Sequence, residues 1–231
     1  MSKPNTLLKQ GFNESGNFNN SEILTKVPKN KVYQYLKKIM DIFGASIGLI
    51  ILSPIFIIIA IFIKLEDPKG AVFFKQLRVG KNGNKFYMYK FRSMVSNAEE
   101  LLQMLLVQNE ASGAMFKMKE DPRVTRIGKF IRKTSIDELP QLFNVLKGNM
   151  SLVGPRPPLP REVEQYTAYD KQRLLVNPGC TGLWQVSGRS NLTFQQMVDL
   201  DLQYIQSASV HLDIKIILKT VKVMLKSENA F

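Results

Sequence analysis

A chain of 231 residues with a formal charge of +13, one cysteine and one histidine has room for about one ordinary domain beyond a polar tail and an apolar segment. The lone Cys180 excludes an internal disulfide or a cysteine metal cluster and suits a reducing compartment, and the lone His211 leaves little for histidine-centred dyads, triads or metal sites. Neither G-x-G-x-x-G nor the P-loop pattern occurs, which disfavours dinucleotide and P-loop chemistry. The positive charge then leaves three partners to weigh: nucleic acid, an anionic membrane surface, or phosphorylated small molecules.

Residues 1–30, with "NESGNFNNSE", are polar, Asn-rich and aperiodic, and predict a mobile tail. They do not form a signal peptide, because the apolar run begins too far along, is too long, and lacks a small-residue cleavage pattern after it. That run extends from Ile42 to Ile63 without a charge. As a helix it would rise about 33 Å, against a hydrocarbon core of roughly 30 Å. Pro54, near its middle, lacks an N–H and crowds the Ile50 carbonyl, so a kink or break is expected at Ser53-Pro54. Lys26, Lys29, Lys31, Lys37 and Lys38 precede the run and Lys64, Lys69, Lys75, Arg78 and Lys81 follow it. Matched flanks favour both ends lying on one face, while a kinked span stays open on the residues alone.

Next, "AVFFKQLRVGKNGNKFYMYKFRSM" predicts two strands, around Val72 to Gln76 and Phe86 to Arg92, with Asn82-Gly83 at the turn. "NAEELLQMLL" and "VTRIGKFIRK" are helical; in the second, Val124, Ile127, Phe130 and Ile131 make an apolar face and Arg126, Lys129, Arg132 and Lys133 a basic one. "GPRPPLP" is an extended loop, and helices resume with "REVEQYTAYDKQRLL" and "FQQMVDLDLQYI". At the end, Lys215, Lys219, Lys222 and Lys226 recur on one face of an otherwise apolar helix, which either lies in a headgroup plane or packs on its own domain. The pattern is α+β: mostly helical, with a few short strands.

Chemistry concentrates in "RKTSIDELPQLFNVLKGNMSLVGPRP". Ser135 with Glu138 three residues later is a capping-box signature ahead of the apolar Leu139, Leu142, Phe143 and Leu146, and Gly148 closes that helix. Pro140 is comfortable only in a first turn, so the helix starts at Ser135, starts at Asp137, or bends. In each case Asp137 and Glu138 sit at a helix N-terminus, where acidic residues are routine stabilisers. Arg132 one turn earlier, Arg156 in the proline-rich loop and Arg189 in "VSGRS" change the weighting. Three arginines converging on two carboxylates suggest a phosphate site around an acidic nucleophile or metal ligand. An aspartate with a pKa of about 4 is ionised at neutral pH and attacks phosphorus without a general base.

The run "VFFKQLRVGKNG…YKFRSM…DPRVTRIGKFIRKTSIDELPQLFNVLKGNMSLVGPRP…PGCTGLWQVSGRS…LDLQYI" resembles the bacterial phosphoglycosyl transferases that load a sugar phosphate onto a polyprenyl phosphate carrier. The resemblance covers about Lys31 to the C-terminus. It implies transfer of a hexose 1-phosphate from a UDP-sugar donor to an undecaprenyl phosphate acceptor, with release of UMP, as the first membrane step of glycan assembly. It further implies Asp137 as nucleophile and Mg2+ ligand, Glu138 as its dyad partner, and Arg132, Arg156, Arg189 and Asp201 binding phosphates and ordering the site. The organisation implied is a tail (1–30), an amphipathic lead-in with a re-entrant membrane helix broken at Ser53-Pro54 (31–66), and a small cytosolic catalytic domain (67–231) with interfacial amphipathic helices. The chain looks like the short, monotopic form, placed on the cytoplasmic face of the bacterial membrane among its lipids, with no nucleic-acid partner and a homodimer as an open alternative. Cys180 departs from the aliphatic residue expected between "PG" and "TG".

Two rival classes remain. Asp199 and Asp201 could serve a metal-dependent D-x-D glycosyltransferase releasing UDP, but residues two apart diverge around a helix. A non-enzymatic basic protein at a membrane surface, or one binding nucleic acid, is suggested by charge alone, without a nucleic-acid motif.

Overall fold

The computed structural model describes residues 30–105, 118 and 121–226; the expected tail lies outside the described residues except for Asn30. Helix α1 runs from Lys31 to Glu66. It is followed by strands β1 (Phe73–Val79) and β2 (Lys85–Phe91), helices α2 (Ala98–Leu105) and α3 (Arg126–Lys133), a 3-10 turn at Ile136–Glu138, and helix α4 (Gln141–Leu146). Strand β3 (Ser151–Val153), helices α5 (Pro160–Glu164) and α6 (Ala168–Lys171), strand β4 (Gly179–Thr181), and helices α7 (Phe194–Ser207) and α8 (Val210–Lys226) complete the order.

Helix α1 begins where Asn30 accepts the backbone N–H groups of Val32 and Tyr33 at 2.9 and 3.2 Å. It does not divide in two at Ser53-Pro54; the helix continues through the proline. The reason lies one residue away. Pro54 cannot donate to the Ile50 carbonyl, and the Ser53 hydroxyl donates to that oxygen instead, at 2.8 Å. A short polar side chain thus satisfies the acceptor that the proline leaves open.

The hairpin pairs Phe73 with Phe91 and Val79 with Lys85, with Asn82 and Gly83 at positive φ in the turn. Its first strand reaches further than expected because pairing persists to the tip. β3 and β4 form a separate parallel pair, Ser151 opposite Gly179 and Val153 opposite Thr181. Strands of three residues show no readable period in sequence. The helix expected across 161–175 is split, because Thr167 and Asp170 form a capping box that starts α6. In α3, Ile131 is fully buried but Phe130 is 52% exposed, so Phe130 leaves the apolar face expected for it.

Among the described residues three apolar clusters hold the fold together, and α1 enters two of them. Ala45 packs with Met88, Val145 and Met150, and Ile59 and Ile63 pack with Phe91 and Ile131. The third cluster joins Val153 to Val198, Leu202, Ile205 and Ile216 of α7 and α8. Polar contacts follow the same side of α1: Lys37 pairs with the fully buried Asp213 at 3.0 Å, Asp41 accepts from Ser151 Oγ and Leu152 N at 2.9 Å, and Glu66 reaches α3. The opposite side leaves Ile50, Ile51, Ile57, Ile58, Ile61 and Leu65 exposed. α1 is long and apolar enough to cross a membrane, and so large an uncovered apolar strip indicates membrane association. Helix α8 behaves similarly: Asp213 and Ile216 face inward, while Ile214, Leu218 and Val221 are uncovered beside Lys215, Lys219 and Lys222.

Candidate active site

Asp137 and Glu138 lie in the 3-10 turn between α3 and α4. The capping box expected from Ser135 and Glu138 does not form. Ser135 has φ 57 and no capping bond, and its N–H donates to Arg132 O at 3.0 Å, so it terminates α3 instead of opening the next helix. α4 starts only at Gln141, with Pro140 before it, where the missing N–H costs nothing. Gly148, at φ 75, closes α4 as expected.

The pair is asymmetric. Asp137 is buried, whereas the Glu138 side chain is 42% exposed. Lys90 of β2 binds Glu138 Oε1 at 2.7 Å and stands 3.9 Å from Asp137 Oδ2. The fully buried Asn144 fixes this spacing, accepting Tyr89 N at 2.9 Å and donating to Tyr87 O at 2.7 Å, so α4 is pinned to β2. Burial pushes the Asp137 carboxyl up to about 6, and Glu138 adds to the rise while Lys90 and Arg132 oppose it. The ordinary value expected from sequence therefore does not hold, although the group is still mostly ionised at pH 7. Burial also works against the charge on Glu138, but Lys90, Arg156 and Arg78 outweigh it and hold that carboxyl below its usual range.

Two of the three arginines singled out in the sequence act on the carboxylates of the turn, and the third lines the neighbouring cavity. Arg132 favours the ionised form of Asp137, and the exposed Arg156 that of Glu138. Arg189, at φ 51, donates from Nε to Gln185 O at 3.2 Å and lines the same cavity as Glu138. That cavity measures ≈ 660 Å³. Ser135, Glu138, Gln185 and Arg189 are among its polar lining residues, and most of its lining is apolar, including Met40 and Phe43 of α1, Leu142 of α4, and Ile217 and Val221 of α8. A smaller slot of ≈ 50 Å³ beside it is lined by Arg78, Lys90, Glu138, Gln141 and Arg156.

Asp201 is elsewhere. It is fully buried on α7 and paired with Arg173, whose guanidinium, despite a burial that opposes its charge, is held above its usual range by Asp201 and then Tyr166. Asp199 is exposed on the same helix, accepting from Tyr169 Oη at 2.9 Å, so the two carboxylates of "DLD" do not converge.

Sequence reasoning missed Lys90 and Arg78. Arg78 is 4% exposed and donates to Pro157 O at 2.9 Å, tying β1 to the proline-rich loop; burial, then Arg156, lowers its pKa to about 10. Both stand on one face of the hairpin, since Arg78 pairs with Phe86 and strand alternation puts Phe86, Met88 and Lys90 together. Charges on the same strand face as the buried Met88 were the available signal.

A carboxylate pair ringed by cations, at the mouth of an apolar cavity walled partly by an uncovered apolar helix, is equipped to bring an anionic group and an apolar one together. The sequence profile of the bacterial sugar transferases matches residues 32–227, and the chain belongs to that family. It is 51% identical over 218 residues to the galactosyl transferase CpsE of Streptococcus agalactiae serotype III, covering 92% of this chain and 48% of that protein. It is 42% identical over 221 residues to the undecaprenyl-phosphate galactose phosphotransferase of Salmonella typhimurium, covering 93% and 46%. The chain thus spans about half the length of these relatives. Against the exopolysaccharide production protein ExoY of Rhizobium meliloti it is 39% identical over 199 residues, covering 84% of this chain and 88% of that protein.

Proposed function

We propose that this chain transfers a hexose 1-phosphate from a UDP-sugar to undecaprenyl phosphate, releasing UMP, and so starts assembly of a membrane glycan. The observation that carries the reading is Asp137: a buried, mostly ionised carboxylate flanked by Lys90 and Arg132, in the turn whose Ser135 and Glu138 line the apolar cavity. The acceptor class agrees with the undecaprenyl-phosphate galactose phosphotransferase, and the donor class with the UDP-galactose-lipid carrier transferase of Erwinia amylovora, 43% identical to this chain over 202 residues.

In the first step, Asp137 Oδ attacks the phosphorus that bears the sugar oxygen. The bridging P–O bond to the uridine-bearing phosphate breaks, UMP leaves with that electron pair, and an aspartyl phosphosugar remains. In the second, a phosphate oxygen of undecaprenyl phosphate attacks the same phosphorus, releasing the Asp137 carboxylate and forming the lipid diphosphate sugar. Every reacting group is an anion, so neutralisation matters more than proton transfer. Lys90, Arg78, Arg132 and Arg156 supply positive charge at the dyad, and Arg189 supplies it in the cavity lining. The cavity's apolar walls suit the acceptor's first isoprene units, with its phosphate toward Glu138 and Arg189.

The donor set also suits Mg2+, which takes one or two carboxylates and completes its shell with phosphate oxygens and water. Lys90 sits closer to Glu138, leaving Asp137 as the principal metal ligand. When bound, the ion would neutralise the donor's diphosphate.

We further propose that α1 is re-entrant, with the folded unit on the cytoplasmic side of the bacterial membrane. From Lys37 to Glu66 a helix rises about 44 Å, more than the roughly 30 Å hydrocarbon core. Yet Lys37 bonds Asp213 and Glu66 bonds α3 within the same fold. Contacts of both ends with one folded unit support a helix that dips and returns, with Pro54 as the place where it would bend.

The central test is UMP release from a panel of UDP-sugars with undecaprenyl phosphate. One donor should turn over; release of UDP instead would overturn the reading. Donor alone should yield a phosphosugar-labelled protein and up to one equivalent of UMP, seen by rapid quench and intact-mass measurement. UMP that appears only with acceptor, with no adduct, would mean direct transfer. For topology, a Lys31→Cys thiol in a Cys180→Ser background should resist a membrane-impermeant reagent in intact cells and react after lysis.

A further inference from the structure

We propose that Glu66 and Asp67, the consecutive carboxylates that close α1, are positioning residues that set the spacing of the active site; this rests on the reading of Asp137 and Glu138 as the reacting pair. Each holds one of the two elements between which the site is built.

Glu66 holds α3. Its Oε1 accepts Arg126 N at 2.7 Å and its Oε2 accepts Ile127 N at 3.0 Å, while Thr125 Oγ1 takes Gly128 N at 3.0 Å. Three of the N–H groups at the start of α3 are thereby satisfied, two of them from the membrane-associated helix. α3 has no acidic residue in its first turn and begins with Arg126, so Glu66 supplies the negative charge that the helix dipole favours there and the local sequence lacks. α3 leads directly through Arg132 and the left-handed Ser135 into Asp137.

Asp67 holds β2. Its Oδ2 pairs with Arg92 Nη1 at 3.1 Å and accepts from Ser96 Oγ at 2.7 Å, its Oδ1 accepts Gly70 N at 3.2 Å, and its carbonyl accepts Arg92 Nη2 at 3.1 Å. Arg92 lies two residues beyond Lys90. The apolar cluster behind the dyad repeats this geometry: Ile59 and Ile63 of α1 touch Phe91, next to Lys90, and Ile131, next to Arg132, with Ile136, next to Asp137, packed against them. The end of α1 thus contacts both elements that carry Lys90 and Asp137, 3.9 Å apart, and adds to the tie between α4 and β2 that Asn144 makes. How α1 is seated in its bilayer becomes an input to catalysis.

The test uses the full chain in lipid nanodiscs, with Glu66→Gln, Glu66→Asp and Asp67→Asn read by steady-state kinetics and by amide hydrogen exchange. Misplacing reacting groups by an ångström is worth up to about a hundredfold, and a partial loosening should lower kcat about tenfold in Glu66→Gln and Asp67→Asn while donor KM stays within about twofold. Glu66→Asp, which keeps the charge, should recover part of the rate. Exchange should quicken at Arg126 and Ile127 in Glu66→Gln and spread to Ser135–Glu138; in Asp67→Asn it should quicken across Met88–Arg92. If exchange rises only at Arg126 and Ile127 and kcat is unchanged, Glu66 is a cap and nothing more, and the proposal fails. It fails too if activity falls only in proportion to unfolded protein. Should the wild type turn over no UDP-sugar, the functional reading fails, while the spread of exchange to Ser135–Glu138 still decides whether the two carboxylates hold the dyad's turn.

Discussion

Two buried aspartates of this fold, both pushed up to about 6 by burial, differ in their partners. Asp201 is sealed inside α7 against Arg173, a pair that solvent does not reach. Asp137 has its nearest lysine nitrogen at 3.9 Å, already engaged at 2.7 Å by Glu138, and stands in the turn whose Ser135 and Glu138 line an open cavity. Burial without a close partner leaves a carboxylate dissatisfied, and that is a condition for one that must bond to something else. Asp201 Oδ1 also lacks a hydrogen-bond partner, so what separates the two is the close cation on Asp201 and the nearby cavity at Asp137.

Exchanging each carboxylate for its neutral isostere separates the two. Asp137→Asn should abolish UMP release, by on the order of a thousandfold or more, and should give no phosphosugar adduct on donor alone, because the nucleophilic oxygen is gone. Wild-type turnover in the purified variant would remove Asp137 from the mechanism. Asp201→Asn should act on stability instead: it strands a buried guanidinium, so about 3 kcal/mol is lost on chemical denaturation, while turnover per folded molecule stays within a few-fold. A large selective loss of kcat with intact stability would show that Asp201 reaches substrate.

Lys90 tunes the contrast. Replacing it with Gln removes the cation that most lowers the Asp137 carboxyl, so kcat should fall about 10- to 100-fold and the acid limb of the pH–rate profile should move to higher pH. An unshifted limb would mean that another group sets it.

A further effect concerns stability and pH. The Asp137 carboxyl rises from 3.8 to about 6 on folding. Between those values the folded chain binds more protons than the unfolded one, so the group's contribution is full below pH 4 and lost as pH rises through 6. Asp137→Asn, measured without ligands, should therefore be more stable than wild type at pH 7.5, by up to about 3 kcal/mol, and equal to it near pH 4. Equal stability at both values would show that burial does not strain the carboxylate.

Much of the framework was legible because it is local. The 3.6-residue period places α2, α3 and α7, the Asn82-Gly83 turn places the hairpin, and Gly148 ends α4 where a left-handed residue is required. What was not legible depends on distant partners or on competing local bonds. Pro54 reads as a breaker until the Ser53 hydroxyl is seen to take over the Ile50 carbonyl. Ser135 and Glu138 spell a capping box, but Ser135 is committed to the end of α3. Lys90 and Arg78 reach the dyad only through strand pairing and a long-range loop contact, which no local window contains. Arg132 and Arg156 stand close enough to act on the carboxylates of the turn, Arg189 lines the cavity beside it, and Asp201, grouped with them by resemblance, lies in a separate buried pair.

Helix α1 is synthesised before everything it packs against. Because it contributes to two of the three apolar clusters, the chain after it has no complete interior of its own: without Ala45, Ile59 and Ile63, the side chains of Met88, Val145, Met150, Phe91 and Ile131 lose a wall. The sugar-transferase fold must therefore close onto a helix already lodged at the lipid boundary, which acts as a template during biogenesis. A fragment beginning at Asp67 would emerge with these surfaces bare and aggregate, so solubilising the protein calls for detergent or a nanodisc around α1 and not its removal.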